Sequence, residues 1–200
     1  MSTVLVALHY QNEVLHPAGR IKVGVAKGDL NQVALVARAQ RLLALARQSR
    51  IPVVSVRIAF RADHADVIQN CSIFRNVVAG GAMVENSWGT EFHDGLGPAN
   101  GEFVVKHGRV NAFHGSQLEE TLRCLGADHL VIAGVSTNSV VATTVACAAD
   151  MGYRVTVIGD CCSSGSPSLH AACLENMRLV ADVIDLETFV TQTELEDSRP

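Results

Sequence analysis

Residues 129–158 read HLVIAGVSTNSVVATTVACAADMGYRVTVI and contain, in order, a predicted strand, a helix and a second strand. His129–Ala133 and Arg154–Ile158 are short apolar runs rich in β-branched residues, a pattern typical of strands buried on both faces. Asn138–Met151 has the length of a helix, and Gly152 is expected to end it. A helix between two such strands indicates a parallel sheet with a right-handed crossover.

The same alternation of strands and helices extends along the whole chain. Further strands are predicted at Val4–Leu8, Ile51–Ile58, Phe103–Lys106 and Asp182–Ile184, and further helices at Leu30–Arg50, Ser116–Leu125 and Ser166–Val180. Residues 59–101 are rich in Gly, Asn and Asp and are predicted to form an irregular connection of the kind that carries function. The pattern predicts an α/β fold in one domain spanning residues 1–200. We expect a three-layer α/β/α sandwich with a mostly parallel, roughly six-stranded, Rossmann-like sheet.

The helix that is predicted from Ser116 carries explicit end signals. Ser116 is a candidate N-cap, Glu119 stands at the capping-box position, and Gly126 follows the last helical residue.

Composition excludes several classes of function. The formal net charge is −4 and no basic cluster is present, which argues against a nucleic-acid partner. Polar residues interrupt the most apolar stretch, Leu130–Ala149, so no transmembrane helix is predicted. The N-terminus has no positively charged region and no cleavage site of a signal peptide, and we therefore expect a cytoplasmic protein. The six cysteines lack zinc-site spacing and are expected to be free thiols, and neither a metal nor a cofactor is predicted.

The candidate site lies where three predicted strands end. His9 follows the first strand, Lys106 closes the third, and the turn 134–141 follows the fourth. Ligands of open parallel sheets bind at the carboxyl ends of the strands, so these three places are expected to converge. His9 is either an acid–base group or a polar residue that fills a vacated pocket. Lys106 is a candidate site residue because a lysine is costly to bury without a partner.

Three segments in this order resemble the isochorismatase-like cysteine hydrolase family: residues 7–14 (ALHYQNEV), 104–113 (VVKHGRVNAF) and 134–141 (GVSTNSVV). The resemblance covers the chain from about Val4 to Val190. It implies an Asp–Lys–Cys triad, with His9 at the Asp position, Lys106 at the Lys position and Val140 at the Cys position. The chain therefore keeps the lysine and replaces the other two members.

The replacement of the nucleophile limits the chemistry, because a valine cannot form a thioester. Isochorismatases proper are similar in lacking the cysteine, and they hydrolyse a vinyl ether by proton transfer and water attack. The resemblance thus implies a non-covalent hydrolase of a small organic molecule, with His9 as acid or base and a neighbouring Lys106 lowering its pKa. The alternative is a catalytically silent member that binds a small ligand or serves as an oligomeric scaffold. In either case the family implies a homodimer or homotetramer.

The resemblance also implies the surroundings of this site. The residues expected to line the substrate pocket or to form an anion hole are Gln11, Trp88, Thr137, Asn138, Ser139 and Val140. A non-proline cis peptide is expected at Val135–Ser136 or Ser136–Thr137. Other roles stay open for these residues. Thr137, Asn138 and Ser139 are alternatively helix caps. Trp88 alternatively lies in a contact between subunits.

Other reactive side chains are interpreted more simply. Cys161 and Cys162 follow the fifth strand and are weak candidates for a nucleophile at the pocket edge. Asp63, His64 and Asp66 resemble a metal-binding segment of nicotinamidases only loosely, and metal binding is not predicted. Three further histidines are expected to lie in loops or at helix ends: His107, His114 and His129.

Overall fold

Six parallel strands form one sheet in the order β3-β2-β1-β4-β5-β6. The computed structural model describes residues 2–21 and 30–197. The strands are β1 (Thr3–Leu8), β2 (Val53–Ile58), β3 (Phe103–His107), β4 (His129–Gly134), β5 (Arg154–Ile158) and β6 (Asp182–Ile184). The strand order is that of a doubly wound α/β fold, and the predicted fold class is confirmed.

Helices connect the strands and cover the sheet. They are α1 (Asn12–Leu15), α2 (Leu30–Gln48), α3 (Ser72–Ala79), α4 (Leu118–Cys124), α5 (Ala142–Asp150), α6 (Pro167–Met177) and α7 (Leu186–Asp197). A single π-turn, Thr137–Val141, precedes α5. Helix α2 packs against α7, and α5 packs against α6. None of the helices in the described ranges is long and apolar enough to span a bilayer.

The connection 59–101 is more ordered than predicted. It contains α3 and a 3₁₀ turn at Trp88–Thr90. Helix α3 is only eight residues long, and Phe74 and Val77 are its buried residues. Two buried positions give a weak helical period, so the sequence pattern did not indicate this helix. The terminal helix α7 was not predicted either.

The helix ends follow the expected chemistry in part. The Ser166 hydroxyl accepts a hydrogen bond from Leu169 N (3.2 Å) and caps α6. The Ser116 hydroxyl accepts one from Leu118 N (3.1 Å), but α4 begins at Leu118 with Gln117 as its N-cap, so the prediction of Ser116 as the N-cap is wrong. Glu119 does not complete a capping box, because with Gln117 as the N-cap it is the second helical residue and not the third; its carboxylate pairs with Arg123 one turn later (2.6 Å).

The core lies on both faces of the sheet. All residues of β4 and nearly all of β1 and β2 are buried. The edge strand β3 alternates instead: Val104 and Lys106 are exposed, whereas Val105 and His107 are buried. Successive side chains of a strand point to opposite faces, so only one face of β3 contributes to the interior.

The neighbouring strands β1 and β4 approach each other most closely where both end. Leu8 is in register with Gly134. A Cβ at Gly134, where φ is +156°, would lie 2.2 Å from the Leu8 carbonyl oxygen, so this position requires glycine. The chain departs from β1 and β4 toward opposite sides of the sheet, which makes their carboxyl ends the switch point where ligands of such folds bind.

Candidate active site

His9 turns the chain directly after β1. Its φ of +55° lies in the left-handed region, where histidine occurs more often than most residues. Its N–H donates to Val56 O (2.9 Å), and its carbonyl accepts from Gln11 N (2.7 Å). The side chain is buried. The backbone is thus fixed on both sides, and the imidazole is held at the end of the sheet.

The His9 imidazole contacts His107, the last residue of β3. The two Nε2 atoms are 2.5 Å apart, and the ring centroids are 4.8 Å apart. His107 Nδ1 lies 3.2 Å from the carbonyl oxygen of Asn111. Because a carbonyl can only accept, Nδ1 of His107 carries a proton, and Nε2 of the neutral ring accepts a hydrogen bond from His9 Nε2–H. This tautomer leaves a lone pair on His9 Nδ1.

Burial keeps both imidazoles neutral. It lowers the pKa of His9 well below its usual range, and the facing His107 lowers it further. Burial also lowers the pKa of His107 to about 4, although the hydrogen bond to Asn111 opposes the shift. A charged ring would lose its hydration without gaining a counter-ion. Near neutral pH the pair therefore shares one hydrogen bond between two uncharged rings.

His9 forms part of the wall of a small cavity, the inner cavity, with a volume of about 60 Å³. Most of the wall is apolar, and it includes Ile58, Phe74, Val140 and the hydroxyl residues Ser136 and Ser139. An outer cavity of about 310 Å³ shares part of this wall and adds Arg20, Asn76 and Asn138. The space beside His9 fits a few non-hydrogen atoms, and larger parts of a ligand would extend outward.

Lys106 does not reach this site, and the prediction that it lies beside His9 is wrong. Its ammonium group pairs with Glu85 Oε2 (2.9 Å) on the exposed face of β3. The lysine is in register with Arg57, and the next residue, His107, with Ile58. A shift of one residue along a strand reverses the face, so His107 occupies the place assigned to the lysine. The pKa of His9 is lowered by burial and by His107, not by a lysine.

The turn after β4 brings Val140 to the inner cavity. The Val135–Ser136 peptide is cis, at one of the two expected bonds. Ser136 O accepts hydrogen bonds from Ser139 N (3.2 Å) and Val141 N (3.3 Å). The amide of Ser139, expected to contribute to an anion hole, is thus engaged within the turn.

The side chains of this turn bond to one another and to α6 rather than to helix amides. Asn138 Oδ1 accepts from the hydroxyls of Ser136 (2.9 Å) and Ser164 (2.5 Å). The Thr137 hydroxyl contacts His170 Nδ1 (2.8 Å). No side-chain cap is formed at the start of the π-turn. Ser139 and Val140 line the inner cavity, Asn138 lines the outer cavity, and Thr137 lines neither.

Gln11 and Trp88 lie outside both cavities. Gln11 is fully buried; its amide donates to Ile58 O (3.0 Å) and Thr90 O (3.1 Å) and accepts from Ile58 N (2.9 Å). It therefore joins the end of β1 to the end of β2. Trp88 is 46% exposed and packs edge-to-face on His16, with centroids 4.9 Å apart. It lines a separate depression with Glu13 and Arg20.

The thiols after β5 do not supply a nucleophile to the inner cavity. Cys161 and Cys162 are buried and absent from its wall. Burial raises the pKa of both thiols, that of Cys162 to about 12, so neither is a thiolate near neutral pH. Within residues 2–21 and 30–197, no group of three or more His, Cys, Asp or Glu side chains could hold a metal ion.

Sequence reasoning missed His107, Phe74 and Arg109, all close to the site. The alternation along β3 could have identified His107: if the charged Lys106 faces solvent, then His107 must face inward with Val105. Phe74 belongs to the helix that was not predicted. No sequence signal distinguished Arg109 from the other arginines.

Fold and site together define a parallel α/β protein with a buried pair of histidines at the switch point of its sheet. A family model described as "Isochorismatase domain" matches residues 3–188, and the chain belongs to the isochorismatase family. It is 30% identical over 169 residues to the uncharacterized isochorismatase family protein YecD of Escherichia coli O157:H7, covering 84% of each chain. It is 27% identical over 183 residues, 88% of each chain, to an Arabidopsis thaliana protein named "Probable inactive nicotinamidase". The crystal structure of an isochorismatase family protein from Desulfovibrio vulgaris superposes with a TM-score of 0.84 at 28% identity, covering 94% of this chain and 96% of that one.

Proposed function

We propose that the protein hydrolyses a small organic molecule without a covalent enzyme intermediate and without a cofactor, with His9 as the general base. The observation that carries this proposal is the hydrogen-bonded His9–His107 pair, of which His9 lines the inner cavity together with Val140. The family resemblance implies that Val140 replaces the nucleophile. A neutral imidazole with a free lone pair can accept a proton from water. Valine cannot attack the substrate, so water is the nucleophile.

For an amide or ester substrate the step is as follows. A water oxygen attacks the carbonyl carbon while its proton passes to His9 Nδ1. The carbonyl oxygen becomes an oxyanion, which we place at the N–H of Val140 because the neighbouring Ser139 N–H is engaged by Ser136 O. The bond to the leaving group then breaks, and the proton on His9 passes to that group.

His107 acts in this scheme as a positioning residue. Its Nε2 accepts a hydrogen bond from His9 Nε2–H and so keeps the lone pair of His9 on Nδ1, where we propose that it acts as the base. When His9 becomes cationic during the reaction, its Nε2–H stays hydrogen-bonded to His107, which holds the ring in place. The exposed Lys106 has no part in this chemistry.

The experiment is a screen of the wild-type protein and His9→Gln against isochorismate and a panel of small amides and esters. We expect turnover by the wild type and a loss of at least about 100-fold in kcat in the variant, which keeps a polar side chain but has no base. Mass spectrometry of the intact protein during turnover is expected to show no adduct, and thiol alkylation is expected to leave the rate unchanged. Equal rates for the two proteins, or a covalent adduct on cysteine, would overturn the proposal.

A second candidate function is ligand binding without turnover. It is favoured by the buried, unreactive side chain of Val140 and by similarity to a relative named as inactive. Saturable binding of a small molecule in the inner cavity, with no product from any member of the panel, would favour this candidate over hydrolysis.

Restoring the family's Asp–Lys–Cys triad tests which residues stand at the triad positions. The test does not depend on whether the wild-type protein hydrolyses or only binds its ligand. We place the triad at these positions with His9→Asp, His107→Lys and Val140→Cys, whereas the resemblance in sequence implies Lys106 as the lysine. We expect the triple variant to gain thiol-dependent amidase activity. The control carries His9→Asp and Val140→Cys only, keeps Lys106, and is expected to remain inactive as an amidase.

A further inference from the structure

Arg109 stands at the wall of the inner cavity with its guanidinium over the ring of Phe74. The distance from Arg109 Cζ to the ring centroid is 4.0 Å, and both residues line the cavity. One nitrogen donates to Ile68 O (3.2 Å) and another to Asn70 Oδ1 (3.0 Å). Stacking and these two hydrogen bonds hold the planar group in one orientation.

None of the residues that the structure describes neutralises the charge of Arg109. Its hydrogen-bond acceptors are a carbonyl and an amide, both uncharged, and no ion pair of Arg109 with a carboxylate occurs in the described parts of the chain. Arg20, which lines the outer cavity, differs because its Nε lies 3.7 Å from Glu13 Oε1. Five N–H groups are present on a guanidinium, so Arg109 keeps donors for a ligand.

The other described residues of the inner cavity's wall carry no charge near neutral pH. Among the described residues of its wall, Arg109 is the one that is ionised near neutral pH, since His9 is kept neutral and the rest are apolar or hydroxylic. A cation in an apolar cavity attracts an anion more strongly than the same cation in water. A carboxylate matches the planar fork of arginine and can accept two parallel hydrogen bonds.

We infer that the ligand of this cavity is a small monocarboxylate, with its carboxylate on Arg109 and its apolar body against Phe74. This inference rests on the proposed function for the reacting end of the ligand, which would lie toward His9. A single unpaired cation also implies a preference for monocarboxylates over dicarboxylates, because a second carboxylate would meet apolar side chains and remain unpaired. Dicarboxylates of similar length are therefore expected to bind poorly.

The experiment measures binding and requires no turnover. Butanoate, butanamide and butanedioate are titrated into the protein, with the ring resonances of His9 and His107 and the melting temperature as readouts. We expect butanoate to bind about 10- to 100-fold more tightly than the other two probes, the range that one hydrogen bond to a charged group supplies. Shifts of the His9 resonances would report that the probe occupies the inner cavity.

The variants are Arg109→Gln, Arg109→Lys and the matched control Arg75→Gln. Arg75 is exposed, is absent from the cavity wall, and donates to Gln69 O (3.3 Å) in the segment that Arg109 also contacts. Arg109→Gln is expected to weaken butanoate binding at least about tenfold and to leave butanamide binding unchanged, and Arg109→Lys is expected to give an intermediate affinity. Arg75→Gln is expected to match the wild type. Should Arg109→Gln fail to fold, Arg109→Lys decides, because it keeps the charge and loses the fork.

Equal affinity for butanoate and butanamide, no binding of butanoate, or the same loss in Arg75→Gln as in Arg109→Gln would overturn the inference. Carboxylate preference without turnover of any substrate supports it while counting against the proposed hydrolysis. Turnover of neutral substrates without a preference for carboxylates supports the proposed hydrolysis and contradicts this inference.

Discussion

His9 and His107 share a hydrogen bond at the wall of an apolar cavity, and burial makes it costly to protonate either ring. The pKa of folded His107, about 4, lies below the 6.5 of an unperturbed histidine. Between these two values the unfolded chain binds more protons than the folded one, so the free energy of unfolding rises with pH. Stability from this group is complete above about pH 6.5 and is lost as the pH falls toward 4.

The first prediction concerns this pH dependence. From the shift of His107 alone, the free energy of unfolding is expected to fall by about 2 kcal/mol between pH 7 and pH 5. Urea unfolding at the two pH values measures it. His107→Gln is expected to lower stability at pH 7 and to flatten the dependence, whereas the control His114→Gln, in an exposed position, is expected to keep it. The same slope in His107→Gln as in the wild type would contradict the burial argument.

The second prediction separates the two neighbouring basic residues of β3. Lys106→Gln removes an exposed pair with Glu85 and is expected to leave the melting temperature and ligand binding close to those of the wild type, because exposed ion pairs contribute little. His107→Gln is expected to alter both. Thermal unfolding and probe titration on the two variants side by side provide the comparison. A larger effect from Lys106→Gln would restore the lysine as a site residue.

At the scale of elements, the strands were predictable because β1, β2 and β4 are mostly apolar, β-branched runs, which are typical of strands buried on both faces of a parallel sheet. Strands β5 and β6 have the predicted bounds. Helix α3 was not predictable from pattern, since an eight-residue helix with two buried positions resembles a loop. The face that β3 presents to the site depends on its register. The sequence prediction was off by one residue in this register and therefore assigned Lys106 to the place that His107 occupies.

The third prediction concerns the contact between β1 and β4. Gly134→Ala is expected to lower the free energy of unfolding by more than about 2 kcal/mol, because the new Cβ would meet the Leu8 backbone and cannot be relieved by moving a flexible side chain. Gly126→Ala is the control: that residue also has a positive φ (+63°), but nothing lies within 4 Å of the added Cβ. The free energy of unfolding of this control is expected to fall by about 1 kcal/mol. Similar losses in the two variants would show that φ, not the close approach, determines the cost.

At the scale of the whole molecule, the strand order agrees with the α/β fold that the sequence predicted, and the site at the strand ends stays a prediction. The carboxyl ends of β1 and β4 meet at the switch point, and the end of β3 brings a second imidazole to His9. The inner cavity itself could not be predicted, because its wall draws on Phe74 from α3 and on Arg109 from the segment after β3.

The fourth prediction concerns assembly. Large apolar side chains are exposed in and after α6, including Leu169 (43%), Leu179 (82%) and Val180 (48%). Exposed apolar surface of this kind favours association between copies. We propose a homodimer or homotetramer, and light scattering coupled to size-exclusion chromatography is expected to give two or four times the chain mass of 21.3 kDa. A mass of one chain at micromolar concentration would contradict this prediction.

The neutral, hydrogen-bonded pair of His9 and His107 can be tested directly by nitrogen NMR of the imidazole rings in the wild type and in His107→Gln at pH 6.5. We predict two neutral rings in the wild type, with His107 protonated on Nδ1, His9 protonated on Nε2, and His9 Nδ1 carrying the lone pair. The His9 signals are expected to change in the variant because the acceptor of its Nε2–H is lost. A charged ring at pH 6.5, or His9 signals that are unaffected by removal of His107, would contradict the assignment of His9 as a neutral base positioned by His107.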